Sequence, residues 1–434
     1  MRPLPTPSLR AVALMTTLPL ALATGCASTD GTGAAASTPT EASAPAEPTE
    51  VGASAPRLAL TYDGGVQVVD ATTLEVLADE PLDGFNRLNA AGDGRHFLVS
   101  TQGGFRLLDG GAWAEEHGDH DHYYTAEPQL TGELLPAEKP GHVVAHAGRT
   151  VLFDDGTGQI TAFDSAAVAD PDRETRDLRT PSAHHGVAVE LGDGTMLVSE
   201  GTEDARTGVR LLDADGAELA ASDDCPGVHG EAVAGEDTVV IGCEDGVLVV
   251  AGGGITKVAS PDAYGRIGNQ AGSAESPVVL GDYKSDPDAE LERPTRVSLI
   301  DTTDASLRLV DLPSSYWYRS LGRGEDGEAL VLGTDGALHV IDPVAGAVTR
   351  SIPVIGAWEE SEDWQDPHPQ LVVVEGTAYV SEPATQSLHA VDVASGKVWK
   401  SASLTVTPNE VAGVSGDVEE HAEHEHTGDD EHVE

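Results

Sequence analysis

Aromatic and basic residues are scarce in this chain of 434 residues. It contains 5 Phe, 5 Trp and 8 Tyr, and its 24 Lys and Arg stand against 74 Asp and Glu, a formal net charge of −50. Proteins that bind nucleic acid cluster cations against phosphates, so this balance argues against that class, and equally against an anionic membrane surface. Cations are the natural counterparts of such a chain, and its 16 histidines point first to metal cations.

Cysteine is also rare, and the first of the three cysteines lies in an export signal. Residues 1–25 combine a basic start with a short apolar stretch that is too short to span a bilayer. The run Leu22-Ala23-Thr24-Gly25-Cys26 resembles a bacterial lipoprotein signal, although Ala23 replaces the usual leucine. We therefore expect lipidation of Cys26 and an anchor on the outer face of the cytoplasmic membrane. The alternative is a plain secretory signal.

Residues 26–56 are small, polar or acidic and are expected to form a disordered tether. The two remaining cysteines are Cys225 and Cys243, and export would place both in an oxidising compartment. They flank one predicted β-hairpin, so we expect a disulfide between them. A metal–thiolate pair is the alternative, but the spacing is not of the CxxC type.

From residue 57 to residue 416 the chain repeats a unit of four short strands, with a period of roughly 45 residues that is typical of propeller blades. Most of the third strands end in Asp, which is expected to cap the next turn. The third strands fall at 65–70, 105–109, 160–164, 209–213, 247–250, 297–301, 338–342 and 388–392. This census predicts an all-β, eight-bladed propeller closed by a strand after Asn409, or a seven-bladed one if the unit at 267–312 is misread.

Histidines recur where the innermost strands of several units begin. Equivalent positions in a propeller converge on the central channel, so several of these side chains are expected to meet there. Three neutral imidazoles with a carboxylate or water make a tetrahedral zinc site. The alternative is a channel whose histidines hydrogen-bond buried waters. The candidate ligands are His142, His184, His185, His229 and His368.

Two further histidine clusters lie outside the repeat pattern. His117, His120 and His122 occupy an insertion in the second unit, where alternating His and Asp offer nitrogen and oxygen ligands. Residues 417–434 hold nine acids, four histidines and no Lys or Arg, and are expected to form a disordered tail. We expect low-affinity capture of divalent cations by the tail histidines His421, His424, His426 and His432.

With these clusters, the sequence resembles the AztD family of extracytoplasmic zinc chaperones. The likeness rests on residues 117–124 (HGDHDHYY), 140–146 (PGHVVAH), 184–187 (HHGV) and 228–230 (VHG). The resemblance implies a propeller that holds Zn(II) and passes it to the substrate-binding protein of a zinc ABC importer. The lipoprotein signal and the tail are departures from relatives that are soluble in a periplasm, and they suit retention by an anchor.

The function expected is therefore that of a monomeric, non-enzymatic zinc carrier that contacts the membrane only through its lipid. A metal-dependent hydrolase or lyase is the first alternative, with Asp154, Glu190 or Glu231 as its base. A propeller that serves as an interaction scaffold is the second, but it leaves the histidine clusters without a role.

Overall fold

Strands make up nearly all of the regular structure. The computed structural model describes residues 47–417, except 119 and 236. The expected export signal with Cys26, most of the expected tether, and the tail histidines His421, His424, His426 and His432 lie outside the described residues. Within them, no helix is long and apolar enough to cross a bilayer.

Short strands follow one another through the chain, with two single turns of 3-10 helix at Ser165–Ala167 and Pro383–Thr385. The first strands are β1 (Thr49–Val51), β2 (Arg57–Tyr62), β3 (Gly64–Asp70), β4 (Val76–Leu82), β5 (Arg87–Ala90), β6 (His96–Thr101), β7 (Gly104–Asp109), β8 (Ala112–His117), β9 (His120–Thr125), β10 (Gln129–Pro136), β11 (Pro140–His146) and β12 (Arg149–Asp154). The next are β13 (Gln159–Asp164), β14 (Arg176–Arg179), β15 (Ala188–Glu190), β16 (Met196–Gly201), β17 (Arg206–Leu212), β18 (Glu218–Ser222), β19 (His229–Ala234), β20 (Thr238–Cys243), β21 (Asp245–Ala251), β22 (Gly254–Ala259), β23 (Gly265–Arg266) and β24 (Gln270–Ala271). The last are β25 (Val278–Gly281), β26 (Arg296–Asp301), β27 (Ser306–Asp311), β28 (Tyr316–Arg323), β29 (Ala329–Gly333), β30 (Ala337–Asp342), β31 (Ala347–Pro353), β32 (Leu371–Val374), β33 (Thr377–Glu382), β34 (Ser387–Asp392), β35 (Lys397–Ser403) and β36 (Val411–Val414).

Within the described residues these strands form seven antiparallel four-stranded sheets and one sheet of five strands, in which β23 pairs in parallel with β21. The sheets are β36-β2-β3-β4, β5-β6-β7-β10, β11 to β14, β15 to β18, β19 to β22, β24 to β27, β28 to β31 and β32 to β35. The unit at 267–312, on which the choice between eight and seven blades depended, also forms such a sheet. Its innermost strand, β24, has only two residues. The prediction of an all-β propeller is confirmed.

Burial within each sheet follows from its place between two neighbours. The second strands are apolar and buried on both faces, as in β2 and β20. The fourth strands alternate between exposed and half-buried side chains, as in β4 and β31, because only one of their faces is covered. Apolar side chains between successive sheets form a series of clusters that runs around the whole ring.

The ring is closed by the strand that follows Asn409. β36 pairs antiparallel with β2, with Arg57 opposite Val414 and Leu60 opposite Val411, so the last strand of the chain completes the first sheet. Closure leaves the innermost strands side by side around the axis. We call the end of the ring where the innermost strands begin the mouth, and the opposite end the base.

Aspartates at the ends of third strands cap the turns that follow, as their recurrence in the sequence predicts. Asp70 Oδ1 accepts hydrogen bonds from the backbone N–H groups of Thr72 and Thr73, at 3.0 and 2.7 Å. Asp342 does the same for the two N–H groups at equivalent positions in its own turn. This repeated residue therefore holds turns in place and takes no part in the metal chemistry.

The two cysteines of the propeller form the predicted disulfide. Cys225 and Cys243 are fully buried, and their Cα atoms lie 5.0 Å apart. The bond ties the segment that leads into β19 to the end of β20, and so restrains the chain a few residues before His229.

Two segments expected to be irregular contain strands. The histidine insertion is a β-hairpin, β8 and β9, in which His117 pairs with His120. The end of the segment expected to be a tether forms β1, which pairs with β9 and places Glu50 opposite Tyr124. Because the residues of β1 lie 72 to 76 positions before their partners in β9, no local sequence pattern predicts this pairing.

A long connection, residues 354–370, leads from β31 into β32 and carries a buried carboxyl group. Glu360 is 9% exposed, and its Oε2 atom has no hydrogen-bond partner among the described residues. Burial raises the pKa of Glu360 from 4.5 to about 7, against the opposing influence of Lys284 and Arg293. Between about pH 4.5 and about pH 7, the Glu360 carboxyl group therefore holds a proton in the folded protein that it releases in the unfolded chain.

We predict that Glu360→Gln stabilises the protein at pH 8. A carboxyl group with a raised pKa in the folded state favours folding at low pH and loses that advantage as pH rises from about 4.5 to about 7. The neutral amide removes this loss, so the melting temperature at pH 8 should rise by a few degrees and the gain should shrink at pH 5. Thermal unfolding followed by circular dichroism measures it, with the exposed neighbour changed in Glu359→Gln as the control. Equal gains at both pH values would contradict the assignment.

Candidate metal centre

Three histidines from three successive sheets meet at the mouth of the ring. His142 lies in β11, His185 precedes β15, and His229 begins β19. One nitrogen from each lies within 4.8 Å of the other two. The ring centroids are 5.1 Å apart for His142 and His185, 5.1 Å for His185 and His229, and 5.8 Å for His142 and His229. The sequence prediction that several of these side chains converge thus holds for this set of three.

Irregularities at the start of the innermost strands direct two of these side chains. The register of β19 with β20 shifts between His229 and Glu231, and Gly230 between them has a φ of +72°. A Cβ atom at position 230 would also collide with the Gln270 side chain and Gly268 O. The register of β11 shifts around His142 in the same way. Bulges of this kind redirect side chains. Because glycine tolerates the positive φ and the close contacts at position 230, it allows the bulge that directs His229 into the cluster.

Each histidine of the cluster uses its Nδ1 atom for an outer partner. His185 Nδ1 lies 2.5 Å from Asp155 Oδ2, His142 Nδ1 lies 3.1 Å from Glu231 Oε2, and His229 Nδ1 lies 2.6 Å from Gly268 O. Because a carbonyl oxygen and a carboxylate only accept, Nδ1 carries the proton in His185 and His229, which leaves the lone pairs of these two rings on Nε2. The contact of His142 with Glu231 is an ion-pair contact, and Glu231 Oε2 has no hydrogen-bond partner among the described residues.

The spacing of these Nε2 atoms matches a shared cation. His185 Nε2 and His229 Nε2 are 3.3 Å apart. Because both rings carry a proton on Nδ1, the lone pairs of the two Nε2 atoms face each other. Two nitrogens bound to one tetrahedral zinc at about 2.0–2.1 Å lie about 3.3 Å apart. The cluster therefore offers three imidazole ligands, of which one pair has the nitrogen spacing expected at zinc, and a tetrahedral ion held by three ligands accepts a fourth such as a carboxylate or water.

Burial and neighbouring charge keep the cluster from holding several protons at once. Burial, followed by the positive charge of His142, lowers the pKa of His229 to about 2. Burial also opposes a charge on His142, but the Glu231 carboxylate outweighs it and raises the pKa of His142. His229 is thus in the neutral, ligating form across the physiological range.

An open cleft of about 680 Å³ reaches His185 from the surrounding solvent. The connection between β16 and β17 forms one wall, and the segment before β19 forms another. Its lining includes the carboxylates of Glu203, Asp204, Asp223 and Glu244. Negative walls attract cations, so the cleft suits the approach of a metal ion to the cluster.

The other two candidate ligands of the channel are engaged elsewhere. His368 stacks on Trp317 at 4.2 Å, its Nδ1 donates to Asp366 O, and its Nε2 accepts from Ser361 N. His184 is 2% exposed, with Ser182 O on Nδ1 and Ser199 Oγ on Nε2. Neither ring has a free nitrogen, so the structure does not bring them into the cluster.

The second cluster lies on the hairpin at the base of the ring. His120 Nε2 and His122 Nε2 are 3.2 Å apart, and His122 Nδ1 lies 2.7 Å from Glu50 Oε1 in β1. His117 completes the set. Its rings are largely exposed, whereas the cluster at the mouth is half-buried. Strand alternation places the two clusters at opposite ends of the ring, so they are separate sites.

Sequence reasoning missed the residues that support the cluster. Asp155 follows the second strand of a neighbouring sheet, and a Cβ atom at Gly141 would collide with it. Asp282 is 1% exposed and accepts from the backbone N–H of Gly268, whose carbonyl orients His229. Such partners are not adjacent to the histidines in the chain and carry no motif of their own.

Of the three carboxylates considered as a catalytic base, only Glu231 contacts the cluster. Glu190 is 5% exposed and pairs with Arg149 and Arg176 at 2.9 Å each. Asp154 accepts from the backbone N–H groups that precede β11 and holds that turn. These two have structural roles.

The fold and the site together define a β-propeller with a cluster of three histidines at its mouth that could hold a metal ion. No family model matches the chain. The zinc chaperone AztD of Citrobacter koseri is 26% identical over 371 residues, which cover 83% of this chain and 86% of the relative. Two crystal structures resemble it, that of Citrobacter koseri AztD (TM-score 0.73, 25% identity, 85% of this chain and 100% of that one) and that of the apo protein (TM-score 0.72, 25% identity, 83% and 98%). The resemblance to AztD is confirmed.

We predict that His142→Ala, His185→Ala and His229→Ala each weaken the tightest zinc site by more than about 100-fold. Each variant removes one of three ligands. This should cost more zinc affinity than replacing a residue that supports a ligand, which typically costs about 10–100-fold. Competition with a chromophoric chelator on the full chain measures the tight site and excludes weaker ones.

The matched control is His368→Ala. Its ring stacks on Trp317 and has no free nitrogen. We expect it to lower the melting temperature and to leave the tight zinc affinity unchanged. Loss of affinity in this variant, with none in His229→Ala, would place the centre elsewhere.

A separate prediction concerns Asp155→Asn. The carboxylate accepts from His185 Nδ1 at 2.5 Å and so fixes the tautomer of the ligand. Replacing such a partner typically costs about 10–100-fold in metal affinity. The same titration should show a loss in that range with an unchanged stoichiometry. Asp193→Asn, at an exposed turn, serves as the control, and an equal effect of both would contradict the role.

Proposed function

We propose that this chain is a zinc metallochaperone. It holds Zn(II) outside the membrane and passes it to the substrate-binding protein of a zinc ABC importer. The observation that carries the proposal is that one nitrogen from each of three histidines lies within 4.8 Å of the other two at the mouth of the ring, with the Nδ1 atoms of His185 and His229 already hydrogen-bonded. The similarity to the zinc chaperone AztD supports zinc as the cation.

The cluster suits a carrier because its ligands are labile and its coordination is incomplete. Imidazoles release zinc faster than a closed set of four thiolates, and a fourth position is available to an incoming ligand. A ligand of the acceptor can therefore bind the ion before the histidines leave. The cleft beside His185 gives access to the cluster from solvent.

Holding depends on the outer partners as much as on the ligands. Asp155 and Gly268 O keep His185 and His229 in the tautomer that ligates through Nε2. Glu231 Oε2 lies 3.1 Å from His142 Nδ1 and adds negative charge beside the cluster. These groups keep the site ready without contacting zinc through their own atoms.

Capture and location complete the proposal. The exposed hairpin cluster of His117, His120 and His122 gathers zinc at the base, together with the tail histidines. Export, a lipid on Cys26 and a monomeric state agree with an extracytoplasmic carrier. A non-enzymatic role agrees with the similarity to a protein named as a chaperone.

The direct test is a transfer experiment. The zinc-loaded protein is mixed with the apo form of the zinc importer's substrate-binding protein, and the metal is followed by a fluorescence change of the acceptor. We expect the rate to rise with acceptor concentration and to exceed the rate at which zinc dissociates into a large excess of chelator.

The control uses free Zn(II) at a concentration buffered to the level that the loaded protein maintains. If the acceptor fills equally fast from this buffer and from the protein, transfer proceeds through solution and the chaperone function is refuted. His229→Ala, which holds no zinc tightly under this proposal, should lose the acceleration.

A further inference from the structure

One exposed aromatic side chain at the mouth stands apart from the others. Among the described residues, the exposed large hydrophobic side chains are mostly on outer strands, such as Leu219 in β18 and Trp399 in β35. Val344 lies in a turn at the base. Trp364 is 48% exposed and lies in the connection that leads into β32. It is therefore the member of this set that shares the mouth with the three-histidine centre.

Trp364 is held in a defined position. Its ring meets that of Phe85 edge to face, with centroids 5.2 Å apart. Phe85 lies in the connection that leads into β5, and Trp364 in the one that leads into β32. Because β36 lies between these two strands in the ring, the aromatic pair spans its start. The neighbouring Gln365 O accepts from Asn409 Nδ2 at 2.9 Å. A fixed aromatic anchor loses little conformational entropy when a partner covers it.

The surface around this pair is strongly acidic. Exposed carboxylates surround it on the same two connections, and in the described part of the chain none of them is paired with Lys or Arg. They are Asp83, Glu359, Glu362, Asp363 and Asp366. An aromatic centre with an uncompensated acidic rim complements a protein surface that presents an apolar recess among basic side chains. Phosphate-bearing and anionic lipid surfaces are repelled by the same charge.

We propose that Phe85 and Trp364 with this acidic rim form the surface on which the zinc acceptor docks. The inference rests on the proposed function and deepens it, because it names the contact that brings the acceptor to the mouth. Docking here places the acceptor at the end of the ring where the Nε2 atoms of the cluster lie. The acidic rim steers a basic partner and speeds its encounter.

The experiment compares Trp364→Ala with Trp399→Ala. Both remove a tryptophan of similar exposure, 48% and 43%, but Trp399 lies on the outer strand β35. Binding of the zinc-loaded full chain to the apo substrate-binding protein of the zinc importer is measured by calorimetry, and transfer by stopped flow. We expect Trp364→Ala to weaken binding at least about tenfold and to slow transfer to a similar extent, with zinc affinity unchanged.

A charge variant keeps the proposal testable if Trp364→Ala disturbs the connection. Glu362→Lys with Asp363→Lys should lower the association rate about tenfold at low salt, and the difference should fade as NaCl rises from about 50 to about 300 mM. Glu174→Lys with Asp172→Lys, in the connection between β13 and β14, is the matched control.

The outcomes separate the two proposals. If the wild-type protein fills the acceptor no faster than buffered zinc, the chaperone function fails. If the wild-type protein accelerates transfer, and Trp364→Ala and the charge variant do so equally well, the chaperone function stands and this docking surface is refuted.

Discussion

Burial of apolar side chains between successive sheets is the interaction on which the rest of the structure depends. No sheet is stable alone, because its second and third strands are apolar on both faces. Each sheet covers its neighbours, and the pairing of β36 with β2 removes the two faces and edges that an open series would leave exposed. A closed ring also fixes where the innermost strands begin, and that geometry gives the mouth its metal centre.

The metal centre departs from regular sheet geometry at the points where the ligands are needed. Register shifts accompany His142 and His229, and glycine occupies the position whose φ is positive. Outer partners then settle the tautomers of His185 and His229, which donate to the Asp155 carboxylate and to Gly268 O, and Asp282 accepts from the backbone N–H of Gly268. The ring supplies rigid positions, and these local irregularities aim the side chains.

The two ends of the ring differ in chemistry. The mouth carries a half-buried cluster with one available coordination position, an acidic cleft beside His185, and the Phe85–Trp364 pair. The base carries an exposed hairpin cluster that is completed by Glu50. Under the proposed function, an ion at the exposed cluster exchanges with solvent more freely than one at the half-buried cluster, so the two ends suit capture and holding respectively. The net charge of −50 suits both ends, since each attracts cations.

The sequence alone determined the class of fold and the disulfide, because four-strand periodicity, turn aspartates such as Asp70 and the export context of Cys225 and Cys243 are local signals. It also included His142, His185 and His229 among five candidate ligands, since equivalent repeat positions converge in a ring. Only the tertiary structure separated them from His184 and His368, whose ring nitrogens form hydrogen bonds with groups that no sequence pattern links to them. It alone placed Asp155, Glu231 and Gly268 as their partners. Ligand choice depends on distances of a few tenths of an ångström, and those are set by packing between sheets, which no run of residues encodes locally.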